Sequence, residues 1–404
     1  MSRRSDSRSA SDHPEPFGSA EGRSCKRSHS LLARTFGRAI PSANLRDASA
    51  FVRFLAPLVM TVLIFFFGPS LLYAQEQSAA GISHEVKEIF ERAGKAVVKI
   101  HGLDQHSPIC GTGFFIDPTG TLYTAYTVGG EADNFTVEFA GQKYPARQLV
   151  ADIRSGTAML KIDAATPALP IGKSEELEVA TPVVAVGFPL DLTETPNFGM
   201  IAGFDHKYLG RYFSTTHLRV NLPTQRGEAG APLLNMKGDV VGILVSSLEN
   251  NSSCYAVPIE AAEKIRSDFV RFGEARHGWI GINVSEAAQP VEGSRAQMTQ
   301  IMDNTPAAHS GIKSGDILLS VGRKKVTQPE DVLDASFFIT AGDIVPITVM
   351  RGNKKLTFEV QADLHPASKN LPALPDGTQL PAAAAAEGNR AIPLKLEAEA
   401  QRTP

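Results

Sequence analysis

Short apolar segments alternate with turn residues between residues 97 and 258, and this pattern restricts the fold more than any other feature. The predicted strands are Val97 to Ile100, Gly113 to Asp117, Leu122 to Ala125, Phe135 to Phe139, Ala158 to Ile162, Val183 to Val186, Leu233 to Asn235 and Val240 to Val245. Short strands at this spacing are typical of closed antiparallel barrels. Aromatic residues make up 7% of the chain, beside 34 glycines and 26 prolines. This composition also favours a mostly β protein.

The length and charge of the chain limit its organisation and partners. Its 404 residues are enough for two folded domains, because single cores stop growing before that size. The net charge of -3 gives no indication of a nucleic-acid or membrane-surface binder. We therefore expect no nucleic-acid partner, and contact with a membrane only through the N-terminal segment.

The N-terminal part carries an export signal or an anchor. Residues 1–53 form a basic leader rich in Ser and Arg, and residues 54–74 form an uncharged apolar stretch. That stretch is long enough to span a bilayer, but Pro57, Gly68 and Pro69 interrupt it and a signal-peptidase site follows at Ala74. We favour a cleaved signal peptide, with a retained membrane anchor as the alternative.

Two helices frame the predicted barrel region. Residues 75–95 have a helical apolar face that contains Val86, Ile89, Phe90 and Ala93. Residues 259–272 have a second such face and lead to another folded unit at residues 277–364. Residues 365–404 are rich in Pro and Ala without apolar periodicity, which predicts a disordered tail.

The three cysteines form no CxxC pair, so the chain lacks a zinc-ribbon or thioredoxin-like motif. In an exported chain, Cys110 and Cys254 are the candidates for a single disulfide. His101 and His106 lie near Cys110, but their spacing matches no common ligand pattern. We expect an exposed loop there, with no metal and no cofactor.

Several short motifs occur in an order that resembles the HtrA/Deg family of serine proteases. They are Gly111 to Asp117, Gly172 to Ser174, Val184 to Pro189, Gly230 to Asn235 and Tyr255 to Pro258. Blocks in the right order are more specific than any one block. The resemblance implies a trypsin-like double β-barrel over residues 80–262, in an exported protein of the periplasm or cell envelope.

The same resemblance places Thr127, Gly156 and Ala229 where the family has its catalytic His, Asp and Ser. Serine protease chemistry needs a hydroxyl nucleophile, a base to activate it and a carboxylate to orient that base. The resemblance therefore implies that the triad is degenerate and that this chain is a pseudoprotease. Glu228 is a further concern, since a carboxylate beside the oxyanion position would repel the developing negative charge.

A displaced nucleophile is the alternative to an inactive site. Candidate hydroxyls near the matched motifs are Ser155, Thr157, Thr224, Ser246 and Ser247. None has a His or Asp at a family position, whereas activation requires hydrogen-bond contact with a base. We favour the inactive interpretation.

Residues 277–364 resemble the PDZ domain that follows HtrA-type proteases. The matching motifs are Gly278 to Ile282 and Thr305 to Leu318. The resemblance implies that the loop of Trp279, Ile280, Gly281 and Ile282 binds the C-terminal carboxylate of an extended peptide. We also predict a strand with Ile317, Leu319 and Val321 on its core face, and a capping box from Thr327 to Glu330. A rigid spacer is the alternative role.

The fold class expected is thus mostly β, with a trypsin-like double β-barrel followed by a PDZ domain. The leading hypothesis is an inactive HtrA-like homologue that binds peptides, unfolded proteins or protein C-termini through its PDZ domain. One alternative is a serine endopeptidase of envelope protein quality control that acts through non-standard residues. Another is a structural or regulatory subunit, in a homo-oligomer or in a hetero-oligomer with an active protease.

Overall fold

The computed structural model describes residues 81–103, 107–130, 132–209, 211–248 and 251–366. The predicted leader, the apolar stretch 54–74, almost all of the tail and His106 lie outside these ranges. Within the described ranges, no helix is long and apolar enough to cross a membrane.

The first described element is helix α1, over residues 81–93. Ile89 and Ala93 are buried in the largest core cluster, and Val86 and Phe90 pack against it half-buried. The apolar face predicted from the sequence is therefore confirmed. Ion pairs of the i,i+4 type, such as Lys87 with Glu91, lie on the exposed face.

Seven antiparallel strands form the first sheet. Their bounds are β1 Val97–Leu103, β2 Pro108–Phe115, β3 Thr121–Ala125, β4 Asp133–Phe139, β5 Gln142–Pro145, β6 Arg147–Asp152 and β7 Thr157–Lys161. The strand order is β5-β4-β1-β2-β3-β7-β6. Helix α2 (Tyr126–Gly129) follows β3. A core of aliphatic and Phe side chains, including Ile100, Phe115, Leu122 and Leu160, lies against this sheet.

Six further strands close into a barrel. Their bounds are β8 Pro182–Gly187, β9 Thr195–Tyr208, β10 Arg211–Val220, β11 Pro232–Leu234, β12 Val240–Ser247 and β13 Cys254–Pro258. The order around the barrel is β10-β13-β12-β11-β8-β9. Short 3-10 helices occur at Gly94–Ala96, Ser174–Glu176 and Pro189–Asp191. Cys254 is buried in this barrel and Cys110 lies on β2, and both are free thiols.

Helix α3 (Ile259–Phe272) leads to the last group of elements, and its bounds are those predicted from the sequence. The remaining elements are β14 Gly278–Trp279, β15 Ile282–Val291, β16 Ser294–Ile301, α4 Pro306–Ser310, β17 Ile317–Val321, β18 Lys324–Lys325, α5 Glu330–Phe337, β19 Ile344–Arg351, β20 Lys354–Gln361 and β21 Asp363–Leu364. The main sheet has the order β15-β16-β17-β19-β20, and β18 pairs with β17.

The burial of β17 differs from the alternating pattern expected. Leu318 and Val321 belong to the main core of this domain, whereas Ile317 and Leu319 join a second cluster with Ala287. Side chains of β17 thus enter two separate clusters, so both of its faces are covered. A strand buried on both faces has no polar side to reveal its alternation.

The start of α5 also differs from the predicted capping box. The helix begins at Glu330, and Pro329 at the N-cap makes no side-chain cap hydrogen bond. The carboxylate of Asp331 instead accepts hydrogen bonds from Thr327 N at 2.7 Å, Thr327 Oγ1 at 2.6 Å and Gln328 N at 3.0 Å. Asp331 therefore fixes the turn before the helix, which satisfies the same need for backbone partners by another route.

His217 is a buried titratable group on β10 of the six-stranded barrel. Its ring stacks on Phe213 with centroids 4.0 Å apart, and its Nδ1 lies 2.9 Å from the carbonyl oxygen of Thr215. Burial lowers the pKa of His217 to about 4, although the hydrogen bond to Thr215 opposes this shift. Between pH 6.5 and 4, His217 is therefore protonated in the unfolded chain but stays neutral in the folded chain.

We predict that stability falls as the pH drops through this window. With a pKa of about 4 in the folded state against 6.5 in the unfolded state, the loss attributable to His217 reaches about 3 kcal/mol near pH 4. Urea unfolding of the parent and His217→Gln at pH 7 and pH 4.5 measures it. The variant should show a smaller loss. An equal loss in both proteins would contradict the assignment to His217.

Candidate functional site

Thr112 of β2 connects the first sheet to the loop that carries Gly227 and Ala229. Its backbone N–H donates to the Ala229 carbonyl at 2.9 Å, and its hydroxyl donates to the Gly227 carbonyl at 2.7 Å. The same hydroxyl accepts from Phe188 N at 3.1 Å. Thr112 is fully buried, so these bonds are shielded from competing water.

Gly230 brings the loop close to β3. Its φ is +88°, and a Cβ placed there would overlap the Thr112 carbonyl oxygen and lie 2.8 Å from Ala125 N. Only glycine tolerates both the conformation and the approach. Ala229 consequently lies half-buried beside the core of the first sheet, in contact with the cluster that contains Ala125 and Val128.

Thr127 and Gly156 lie on neighbouring turns near the same cluster. The residue before Thr127, Tyr126, donates its backbone N–H to the Gly156 carbonyl at 2.7 Å. Thr127 is exposed on α2, whereas Gly156 has φ +71° and Val245 Cγ1 at 3.6 Å from the position of a Cβ. Val245 and Ala229 both pack against that cluster. The three positions derived from the sequence therefore lie in one region.

Glu228 is directed away from open solvent. Its side chain is only 2% exposed, and its carboxylate accepts from Asn197 Nδ2 at 2.6 Å and from Gln225 N at 2.5 Å. Burial raises the pKa of Glu228, and these two donors partly oppose that effect. The carboxylate thus takes part in the support of the loop, a role that the sequence did not reveal.

Ser155 has an Asp neighbour that the sequence did not predict. Asp152 Oδ2 accepts from Ser155 N at 2.8 Å, and Asp152 Oδ1 lies 2.8 Å from His277 Nε2. Burial would raise the pKa of Asp152, but His277 and Ser155 overcome it and hold the pKa at about 2. The Ser155 hydroxyl bonds to Thr157 Oγ1 and the Asp152 carbonyl instead of the imidazole.

This Ser, Asp and His arrangement is not a catalytic relay. His277 and Ser155 bind different oxygens of one carboxylate, so the imidazole is not positioned to take the hydroxyl proton. Ser155 is also fully buried, which denies it to a polypeptide substrate. The Asp152–His277 bond instead joins the first sheet to the start of the C-terminal domain.

The loop from Trp279 to Ile282 has the geometry of a close backbone approach. Gly281 has φ +82°, and a Cβ there would overlap the side chain of Thr305. Ile280 is buried in the domain core, with its carbonyl accepting from Ala307 N at 2.9 Å, and Ile282 is half-buried beside that core. The loop opens into β15, which is an edge strand of the sheet.

Helix α5 contacts the six-stranded barrel. Asp334 Oδ1 accepts from Thr215 Oγ1 at 2.7 Å and from Thr216 N at 2.8 Å. Lys207 pairs with Glu330 at 3.9 Å on the same side. The helix is therefore held by polar contacts with β9 and β10.

A mixed cluster of metal-ligating groups lies on the outer side of β1 and β2. His101 and Cys110 are directly opposite each other in the two strands. Cys110 Sγ lies 3.4 Å from Asp191 Oδ1, and His101 Nε2 lies 3.8 Å from the same oxygen. The sequence suggested the first two residues as weak candidates, but Asp191 is too far along the chain to be recognised by spacing.

Two family models match the chain. A trypsin-like peptidase domain matches residues 111–243, and a PDZ domain matches residues 278–362. The first match contains Thr127, Gly156 and Ala229, and the second contains Gly281. A trypsin-like peptidase domain followed by a PDZ domain is thus the class of protein that the fold and the site define.

Two relatives named as serine endoproteases align with most of this chain. The serine endoprotease DegS of Salmonella typhimurium is 28% identical over 305 residues, which cover 69% of this chain and 85% of that protein. A probable periplasmic serine endoprotease, DegP-like, of Pseudomonas fluorescens is 27% identical over 317 residues, 75% of this chain and 66% of its own length.

Solved structures give the same fold. The HtrA-type protease AlgW with a tripeptide matches at a TM-score of 0.60 and 21% identity, over 73% of this chain and 99% of that one. The serine endoprotease of Yersinia pestis matches at 0.52 and 25% identity, over 69% and 98%. The chain thus combines a trypsin-like peptidase domain with a C-terminal PDZ domain, and it is similar in sequence to DegS and in fold to an HtrA-type protease.

We predict that the loop of Ala229 depends strictly on Gly230. Gly230→Ala should lower the free energy of unfolding by at least ~3 kcal/mol, because the new Cβ meets backbone atoms in a left-handed conformation. Gly141→Ala is a matched control, since Gly141 has φ +74° with nothing within 4 Å of the added Cβ. It should cost about 1 kcal/mol. If Gly230→Ala and Gly141→Ala lost the same stability in urea unfolding, the loop of Ala229 would be able to move and accommodate the added Cβ.

Proposed function

We propose that this protein is a non-catalytic HtrA-family member that binds peptides or protein C-termini through its PDZ domain. One observation supports the proposal: Thr127, Gly156 and Ala229, which the resemblance aligns with the family's catalytic groups, lie in one region of the structure. None of these side chains provides an activated nucleophile, an imidazole base or an orienting carboxylate. The catalytic triad is accordingly degenerate in this proposal, while the surrounding fold is kept.

The contacts that hold the loop of Ala229 favour a loss of catalytic side chains without a loss of the surrounding structure. Thr112 and Gly230 still hold the loop of Ala229 against the first sheet. Thr127 has a hydroxyl but cannot serve as a base near neutral pH. Glu228 is engaged by Asn197 and Gln225, so it does not replace a missing group.

The PDZ domain provides the binding activity in this proposal. An extended peptide would add a strand to the free edge of β15, and the backbone of Trp279, Ile280, Gly281 and Ile282 would receive its terminal carboxylate. Ile280 and Ile282 would line the pocket for the last side chain of the peptide. The binding mode needs no charged side chain in the loop, which agrees with the residues present.

The proposed location is the cell envelope. The relative in Pseudomonas fluorescens is named as periplasmic, and residues 54–74 have the composition of a signal peptide or an inner-membrane anchor. A role beside an active protease, in envelope protein quality control, is consistent with this location. The sequence of the preferred peptide is open.

We predict binding of peptides with a free C-terminus. A randomised C-terminal library presented to the full-length chain should yield ligands with an apolar last residue. Amidation of the selected peptide should weaken binding at least about tenfold, because the backbone donors of the loop lose the carboxylate. Fluorescence anisotropy measures both peptides.

Ile282→Ala should also weaken binding, since it removes part of the pocket lining. Ile344→Ala is the matched control, because Ile344 is 66% exposed on β19 and should leave affinity unchanged. Failure to select any peptide would refute the binding proposal. Equal affinity for free and amidated peptides would place binding elsewhere.

The competing function is a serine endopeptidase that uses a displaced nucleophile. Ser155 is the hydroxyl with the most favourable neighbours, because Asp152 and His277 lie nearby. Its burial and its bond to Thr157 argue against that role. A serine-reactive phosphonate distinguishes the two functions directly.

We predict that the parent chain forms no phosphonate adduct in intact-mass spectrometry. The combined variant Thr127→His, Gly156→Asp, Ala229→Ser is the positive control, because it restores all three chemical roles. Asp is among the residues that tolerate the left-handed conformation of Gly156. A stoichiometric adduct on the parent that is lost in Ser155→Ala would establish the endopeptidase alternative.

A further inference from the structure

Three potential ligands converge at the surface between the first sheet and the loop at residues 188–192. His101 and Cys110 face each other across β1 and β2. Asp191 closes the group from the 3-10 helix Pro189–Asp191. The ligand atoms of His101, Cys110 and Asp191 all lie within 4.8 Å of one another.

The ligand atoms lie close to the separations expected of a tetrahedral zinc site. At the usual bond lengths of zinc to sulfur, nitrogen and oxygen, ligand atoms lie roughly 3.3 to 3.6 Å apart. Cys110 Sγ lies 3.4 Å from Asp191 Oδ1, and His101 Nε2 lies 3.8 Å from the same oxygen. Glu138 Oε1 is 3.4 Å from His101 Nε2 but pairs with Lys143 Nζ at 2.9 Å, so Glu138 is a neighbour of the site and not one of its ligands.

The imidazole of His101 supports a ligand role. Its Nε2 is buried and has no hydrogen-bond partner among the described residues, although two carboxylates are close. A neutral imidazole with an unshared electron pair on this nitrogen would gain nothing from those carboxylates. A bound cation would accept the electron pair of this nitrogen and pair with the Asp191 carboxylate at the same time.

The ammonium group of Lys99 contacts Asp191, one of the potential ligands. This group lies 2.8 Å from Asp191 Oδ1 and 2.8 Å from the Asp191 carbonyl. It therefore supplies positive charge at a place where a metal ion would supply more. Metal binding must move this ammonium group away from Oδ1, so Lys99 is a competitor and not a ligand.

We propose that His101 Nε2, Cys110 Sγ and Asp191 Oδ1 bind one zinc ion, with solvent as its fourth ligand, and that this ion fixes the loop at residues 188–192 to the first sheet. Mixed nitrogen, sulfur and oxygen donors suit zinc better than calcium or magnesium, which take oxygen ligands. On binding, the Cys110 thiol gives its proton to solvent and its sulfur forms the bond to zinc. The site replaces the sequence expectation of an exposed loop without metal.

The proposed site is connected to the loop of Ala229. Leu190 N donates to the Arg226 carbonyl at 2.6 Å, and Phe188 N donates to the hydroxyl of Thr112. Leu190 and Asp191 both have positive φ, a conformation that a metal bond to Asp191 would help to hold. Zinc would therefore restrict residues 226–229 as well as its own loop.

The test uses the full-length chain with Cys25→Ser, so that Cys110 is the accessible thiol beside the buried Cys254. After treatment with a chelator, calorimetry should detect one zinc ion per chain. Cobalt(II) in place of zinc should give a thiolate charge-transfer band. Cys110→Ser and Asp191→Asn should each weaken zinc binding at least about tenfold, and Cys110→Ser should abolish the band. His84→Gln, on exposed α1, should change neither.

Two further measurements separate this site from adventitious surface binding. Lys99→Gln should tighten zinc binding by roughly tenfold, because a competing charge is removed. Zinc should also slow amide hydrogen exchange at residues 188–192 in the parent and not in Cys110→Ser. Absence of one-to-one binding, an unchanged affinity in Cys110→Ser, or weaker binding in Lys99→Gln would overturn the proposal.

Discussion

The position of Thr112 is the constraint on which the loop of Ala229 and the loop at residues 188–192 depend. From one fully buried residue of β2, hydrogen bonds reach the Ala229 carbonyl, the Gly227 carbonyl and Phe188 N. Its own carbonyl accepts from Thr124 Oγ1 at 2.7 Å. The loop of Ala229, the loop at residues 188–192 and β3 are thus fixed to one another through a single side chain and its backbone. None of these hydrogen bonds uses the side chain of Thr127 or Ala229, so the support does not depend on which side chains those positions carry.

The sequence predicted the strands whose apolar residues stand out, and it missed those with little apolar signal. β1, β3, β7 and β12 correspond to recognised segments because they are largely buried. β9 has only three buried residues among its fourteen, and β5 has none, so neither shows a run of buried apolar residues. The fold class was nevertheless predictable, since ordered motifs such as Gly111 to Asp117 identify a family even where individual strands are weak.

The sites were less predictable because their members are far apart in the chain. The positions Thr127, Gly156 and Ala229 could be aligned by motif, but the partner of Asp152 is His277, 125 residues away. Cys110 and Asp191 are likewise separated by 81 residues. Contacts of this kind are set by tertiary packing, and no local periodicity reports them. The same holds for Glu228, whose burial and bond to Asn197 decide its role.

The proposed function keeps peptide recognition in a protease fold and lacks hydrolysis. The most direct test is degradation of unfolded casein by the parent chain, with products identified by mass spectrometry and with an active HtrA-family protease and a buffer blank in parallel. We expect the same products from the parent chain as from the blank. Casein cleavage by the parent chain, at a rate that survives repeated purification, would contradict the proposal.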